Sequence, residues 1–201
     1  MSDSQSDFIN YNLSKLGYSS KQDIIENLFI KSLVDSYNRV DKNIGVENEI
    51  RDRIVRDLYT VDSRIKFWLQ YKIIYLDWEN WVFTPEFELG RTDIAFKLTG
   101  LQFIIECKRL RNASNAYITE GLDRFISLQY AQGDEFAGMM GFIIAGDKVT
   151  ICKELRGKIK ALEHTTSLSE IYYSSSFNSD HIRNDKSQIG IYHLFLDFKF
   201  A

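Results

Sequence analysis

The stretch that decides the fold is Gly90-Arg-Thr-Asp93-Ile-Ala-Phe-Lys-Leu98-Thr-Gly100-Leu-Gln-Phe103-Ile-Ile-Glu106-Cys-Lys108-Arg109. Two runs of alternating and apolar residues flank Thr99-Gly100, a two-residue loop of the kind that closes an antiparallel hairpin. Such a loop fixes the register of both strands. Leu98 then faces Leu101, Phe96 faces Phe103, Ile94 faces Ile105 and Thr92 faces Cys107, which makes one nearly continuous apolar face. On the other face Lys97 meets Gln102, Ala95 meets Ile104, Asp93 meets Glu106 and Arg91 meets Lys108.

Opposed carboxylates on neighbouring strands repel and disfavour the sheet. The run Phe103-Ile-Ile marks the second strand as buried, where Glu106 is costly unless it has a partner. A divalent cation shared with Asp93 converts the repulsion into coordination, because hard ions such as magnesium prefer carboxylate oxygens. The strand period of two sets Lys108 on the same face as Glu106, beside the metal position, where a water and a phosphate would meet.

Working outward, residues 1–20 are poor in apolar side chains and read as a flexible arm. From Lys21 the spacing of Ile25, Leu28, Phe29, Leu33 and Tyr37 predicts an amphipathic helix, and a second follows over about 46–59. A third short helical pattern holds Ile65, Trp68 and Leu69. Trp81–Glu88, with the single proline Pro85, reads as a strand near an edge or bend. After the hairpin, residues 117–132 predict a helix capped at Gly133. Met139–Ala145 predicts a buried strand, 151–163 a helix and 189–198 a last strand. Residues 167–186 read as polar and irregular. The pattern is that of one α/β domain over 21–201, with a core of about 46–146.

The bulk numbers admit this and exclude other classes. Of 201 residues, 44% are hydrophobic and 26% charged, ordinary values for one globular domain. No apolar run approaches the roughly 20 residues that span a bilayer, so no membrane partner is expected. The polar, acidic start lacks a secretory signal, and the expectation is a cytoplasmic protein. Two cysteines, Cys107 and Cys152, form neither a disulfide framework nor a C-x-x-C motif. Three scattered histidines lack zinc spacing, and neither Asp180-His181 nor His193 forms a catalytic pattern. A net charge of −3 excludes bulk coating of nucleic acid but leaves room for a local basic patch.

Gly90-Arg-Thr-Asp93-Ile followed by Phe103-Ile-Ile-Glu106-Cys-Lys108 resembles the PD-(D/E)XK nuclease superfamily, with Thr92 in place of the proline of its name. The resemblance implies a restriction endonuclease-like α/β core: a helix, a three-stranded meander, a helix and a further strand, in a mixed sheet flanked by helices. It implies a metal-dependent nuclease in which Asp93 and Glu106 bind magnesium or manganese and Lys108 assists the attacking water. DNA is the favoured substrate over RNA, and many nucleases of this size act as homodimers. The alternative is an inactive nucleic-acid- or protein-binding module of the same fold.

The superfamily often adds a glutamate from the first core helix to the metal site. At about 100° per residue, Glu47 shares the side of Ile50, Ile54 and Leu58, whereas Glu49 points away. Glu47 is therefore the expected third ligand. In the second core helix Gln129 falls on the face of Ile118, Leu122 and Phe125, with Arg124 at its edge. Both are expected to touch nucleic acid. Arg109 and Arg111, with Lys108, form a basic cluster suited to phosphate. Cys107 reads as a packed core thiol.

Overall fold

The computed structural model describes residues 2–83, 89–171 and 173–199, with the backbone alone described at 2–6, 80–83 and 89–90. Helices α1 (Ser2–Lys15), α2 (Lys21–Ile24), a π-helical segment (Ile25–Ile30), α3 (Lys31–Arg39), α4 (Glu47–Thr60) and α5 (Arg64–Gln70) come first. The strands β1 (Tyr75–Phe83), β2 (Leu89–Leu98) and β3 (Leu101–Leu110) follow as a meander. A second π-helical segment (Ile118–Leu122) runs directly into α6 (Asp123–Ile126) and leads to β4 (Phe136–Ile143). Then come α7 (Lys148–Lys160), β5 (Thr165–Glu170), β6 (Ser176–Ile182) and β7 (Gln188–Asp197).

The strands form one mixed sheet in the order β1-β2-β3-β4-β7-β6-β5. The pairs β3–β4 and β4–β7 are parallel, and the outer pairs are antiparallel. Helices cover both faces. On one side Ile24, Phe29, Leu33, Ile50, Ile54 and Leu58 pack on Ile94, Phe96, Phe103, Ile105 and Cys107. Phe29 stacks on Phe96 with centroids 4.6 Å apart. On the other side Leu122, Phe125, Ile151, Leu155 and Ile159 pack on Ala95, Ile104, Ala137, Met139 and Phe195. Each face carries an apolar layer, the arrangement that lets a parallel centre stay buried. No helix among the described residues is long and apolar enough to cross a membrane.

Three expectations need correction. Residues 1–20 are not a loose arm: α1 buries Ile9 and Leu13, and Tyr18 follows them into the core. The reason is the hairpin turn. Gly100 has φ +80°, and a Cβ there would lie 2.4 Å from Ile9 Cγ1, so α1 sits directly on the loop that only glycine leaves open. Residues 167–186 hold β5 and β6 rather than irregular chain. Their polarity reflects the sheet edge, where β6 buries alternate residues and β5 few. The helix expected over 117–132 ends at Ile126. Leu128 turns into the left-handed region at φ 66°, and Tyr130 N–H donates to the Arg124 carbonyl. Of the strand expected over Trp81–Glu88, residues 81–83 are the end of β1, which begins earlier, at Tyr75; the remainder, with Pro85, lies outside the described residues.

Candidate functional site

The predicted register holds from Leu98 opposite Leu101 to Ile94 opposite Ile105. There the β2–β3 pairing stops, and Asp93 is paired to neither neighbour, since the β1–β2 ladder also passes from Ile94 to Thr92. Its carboxylate replaces a carbonyl in the ladder: Oδ2 accepts from the Cys107 N–H at 2.7 Å. The two strands splay at this level with Asp93 in the cleft between them.

The other carboxylate oxygen is also engaged. Oδ1 accepts from Arg51 Nη1 at 3.0 Å. Arg51 comes from α4 and is 1% exposed; its Nη2 reaches Glu79 at 2.7 Å and Asp52 at 3.1 Å. Glu79 is held with φ 52°, an unusual conformation for a side chain that is not glycine. Sequence reasoning missed Arg51. Its signal was available: it lies four residues after Glu47, on the same helical face as Ile50, Ile54 and Leu58.

Glu106 is 1% exposed. Its Oε1 accepts from Lys108 Nζ at 2.9 Å and from Arg124 Nη1 at 2.6 Å. Its Oε2 is buried with no hydrogen-bond partner. Burial, reinforced by the charge of Asp93, pushes the carboxyl pKa up to about 7 against the pull of Lys108 and Arg124. Gly121 makes room for Met139 beneath the site, and Lys108 lies at ordinary contact distance from it. A Cβ on Gly121 would come within 2.5 Å of Met139 Cε and 3.5 Å of Lys108 Cε.

Glu47 opens α4, half-buried, and its carboxylate accepts from the Arg109 N–H at the end of β3. Glu49 is exposed. Arg109 itself is exposed and donates from Nη1 to the Gly45 carbonyl at 3.0 Å, while Arg111 is exposed beyond the strand. Asp93, Glu106, Lys108 and Arg124 are thus brought together, while Glu47 meets β3 at the Arg109 N–H, two residues beyond the Cys107 N–H that Asp93 takes. Gln129 is not among them: it is exposed, because the helix has already ended. Tyr130 takes the inward position instead. Its hydroxyl donates to the Arg91 carbonyl at 2.7 Å and accepts from Arg124 Nη1 at 3.2 Å.

Arg124 was expected at a phosphate and instead braces Glu106. Cys107 is packed in the core, and burial raises its thiol pKa well above the usual range. Among the described residues no group of three or more His, Cys, Asp or Glu side chains is arranged to hold a metal ion.

The scattered histidines converge elsewhere in the second apolar layer. Tyr117 Oη meets His193 Nδ1 at 3.0 Å, and Ser179 Oγ lies 2.7 Å from both His193 Nε2 and His181 Nε2. This buried chain contains no carboxylate and reads as a satisfied polar network. Burial, helped by His164, pulls His181 down to about 3; burial, helped by His181, takes His193 well below its usual value. Both are neutral when folded and take up a proton when unfolded below about pH 6.5. Each therefore removes stability as pH falls below that value, by about 1.4 kcal/mol per pH unit, until its folded pKa is reached. Glu106, raised, works in the opposite sense between its unfolded range and about 7. The two histidines outweigh it. The melting temperature is expected to fall from pH 6.5 to pH 5, and less steeply in His193→Asn; equal slopes would refute the assignment.

Comparison with protein-family models, with curated proteins and with solved structures gives no match for this chain.

Proposed function

We propose that the chain is a metal-dependent phosphodiester hydrolase of the PD-(D/E)XK type, acting on nucleic acid, DNA in preference to RNA, in the cytoplasm. One observation carries the reading: Glu106 is buried and braced by two cations through Oε1, yet its Oε2 is left without a partner beside Asp93. A buried carboxylate oxygen with no donor is costly in a purely structural role. It is the group a divalent cation would take. The order α4, meander, helical segment and β4 parallel to β3 supports a restriction endonuclease-like core.

Glu106 Oε2 and Asp93 would hold magnesium or manganese, and Glu47, which binds the Arg109 N–H, is the candidate for a further ligand through water. A bound ion would lower the pKa of a coordinated water and stabilise charge on the phosphate. Lys108 holds Glu106 in place and presents an ammonium where water and phosphate meet. Arg124, one third exposed, donates to the same oxygen, Oε1, and helps keep Glu106 oriented. Arg51 defines the state without metal, since its guanidinium supplies Asp93 with the positive charge the ion would supply. The same contact favours a second reading, an inactive binding module, in which Arg51 has replaced the ion permanently.

The test is to incubate the protein with plasmid, linear duplex, single-stranded DNA and RNA, each with magnesium, manganese or EDTA. Cleavage of at least one substrate that EDTA abolishes is expected. Lys108→Ala should keep metal binding, measured as a thermal shift, and lose about a hundredfold or more in cleavage, the range for a residue that handles the attacking water. A wild type that cuts nothing and shows no metal-induced shift would leave the module reading in its place.

A further inference from the structure

Arg183, which follows β6, is 2% exposed, yet it forms no ion pair among the described residues. Its Nη2 donates to the Asp134 main-chain carbonyl, and its Nε is buried with no partner. Arg51, equally buried, contacts three carboxylates. The two carboxylates that act on Arg183 through space are each engaged by another donor. Asp134 Oδ2 accepts from Gln102 at 3.1 Å, and Asp185 Oδ1 accepts from Ser187. Removing a cation from water without a partner is expensive, and burial pulls the guanidinium pKa down despite the distant pull of Asp185 and Asp134.

A second unpartnered atom belongs to a neighbouring residue. His164, at the junction of α7 and β5, keeps Nε2 buried without a partner, and its ring lies 5.0 Å from that of His181. Arg183 and His164 both line a cavity of about 450 Å³. Asn184 and Lys186 line it too and are exposed, with the exposed carboxylate of Glu163 the one acidic lining group. Nothing in the nuclease reading uses this cavity.

We propose that this cavity is an oxyanion site for a phosphate group, with Arg183 and His164 as inner donors and Lys186 and Asn184 at the mouth. A phosphate fits the donor set better than a carboxylate, because donors come from four side chains and a tetrahedral anion offers more acceptor oxygens to them. Arginine binds such groups with charge-assisted hydrogen bonds that a low-dielectric wall strengthens. The phosphate can come from a free anion or from a nucleic-acid strand. The backbone connects the two sites: Asn184 N–H donates to the Ile126 carbonyl at 3.2 Å, and Ile126 lies two residues from Arg124.

The experiment is calorimetry on the full chain with EDTA present, so that it stands apart from cleavage. The titrants are inorganic phosphate, at ionic strength held constant with chloride, and a short single-stranded DNA oligonucleotide. Phosphate is expected to bind the wild type, and His164→Ala or Lys186→Ala to weaken binding by about tenfold, the scale of one charge-assisted hydrogen bond. Both replacements lie at partly or fully exposed positions, so folding is retained. If phosphate competes with the oligonucleotide in the wild type, a strand is the source. If phosphate binds and the oligonucleotide does not, the source is a free anion. No phosphate binding beyond chloride, or binding unchanged in both variants, would overturn the site and leave water as its occupant.

Discussion

Glu106→Gln is expected to remove cleavage, by about three orders of magnitude, the scale on which losing one preorganised electrostatic element acts. The substitution isolates the chemistry from the fold. The amide oxygen can still accept from Lys108 and Arg124, so the brace on that side survives. The unpartnered Oε2 becomes an NH₂ group, which cannot coordinate a cation. Because burial raises the carboxyl pKa to about 7, the folded state already disfavours the charge, and thermal stability without metal should be little changed. Loss of activity with stability kept is the combined result to look for. Asp93→Ala is a poorer test: it strips the acceptor from the Cys107 N–H and the counter-ion from Arg51, so inactivity there could reflect damage to the splayed strands.

Arg51→Met is expected to destabilise the metal-free protein by about 3 kcal/mol, the cost of leaving a partly buried charge without its partner. Most of that comes from Asp93, whose side chain is 13% exposed, since Asp52 and Glu79 can turn to solvent. Divalent ions should then bind the variant more tightly than the wild type, because Asp93 Oδ1 is free, and should restore stability by mass action. Urea denaturation with and without manganese reads both quantities. A variant as stable as the wild type would mean that Arg51 does not neutralise Asp93. Unchanged metal affinity would mean that arginine and ion do not compete for the same oxygen.

The hairpin was legible because a two-residue loop with glycine fixes every pair that follows it, and apolar residues fell on one face in that register. Where the ladder stops was not legible. Asp93 leaves it by offering its side chain in place of a backbone carbonyl, and an aspartate in a strand carries no mark of that choice. The helical angle correctly distinguished the exposed Glu49 from the half-buried Glu47. The same angle pointed to Arg51, but a charged residue on a helix reads as solvated until its partners are known.

Gln129 failed for a local reason. The apolar period continued past Ile126, and no glycine or proline announced the turn that Leu128 makes in the left-handed region. The edge hairpin β5–β6 was hidden by its serines, since an edge strand has little apolar face to show. The histidine network and the orphaned Arg183 depend on residues brought together from distant elements, and spacing along the chain gives no access to them.

Metal binding by Asp93 and Glu106 can be measured with no substrate present. Manganese is titrated calorimetrically into the wild type and into Glu106→Gln under identical conditions. Saturable binding to the wild type is expected, at about millimolar concentrations or below, and its loss in the variant. A wild type that binds no manganese, or two proteins that bind it equally, would contradict the assignment of Asp93 and Glu106 as a metal site.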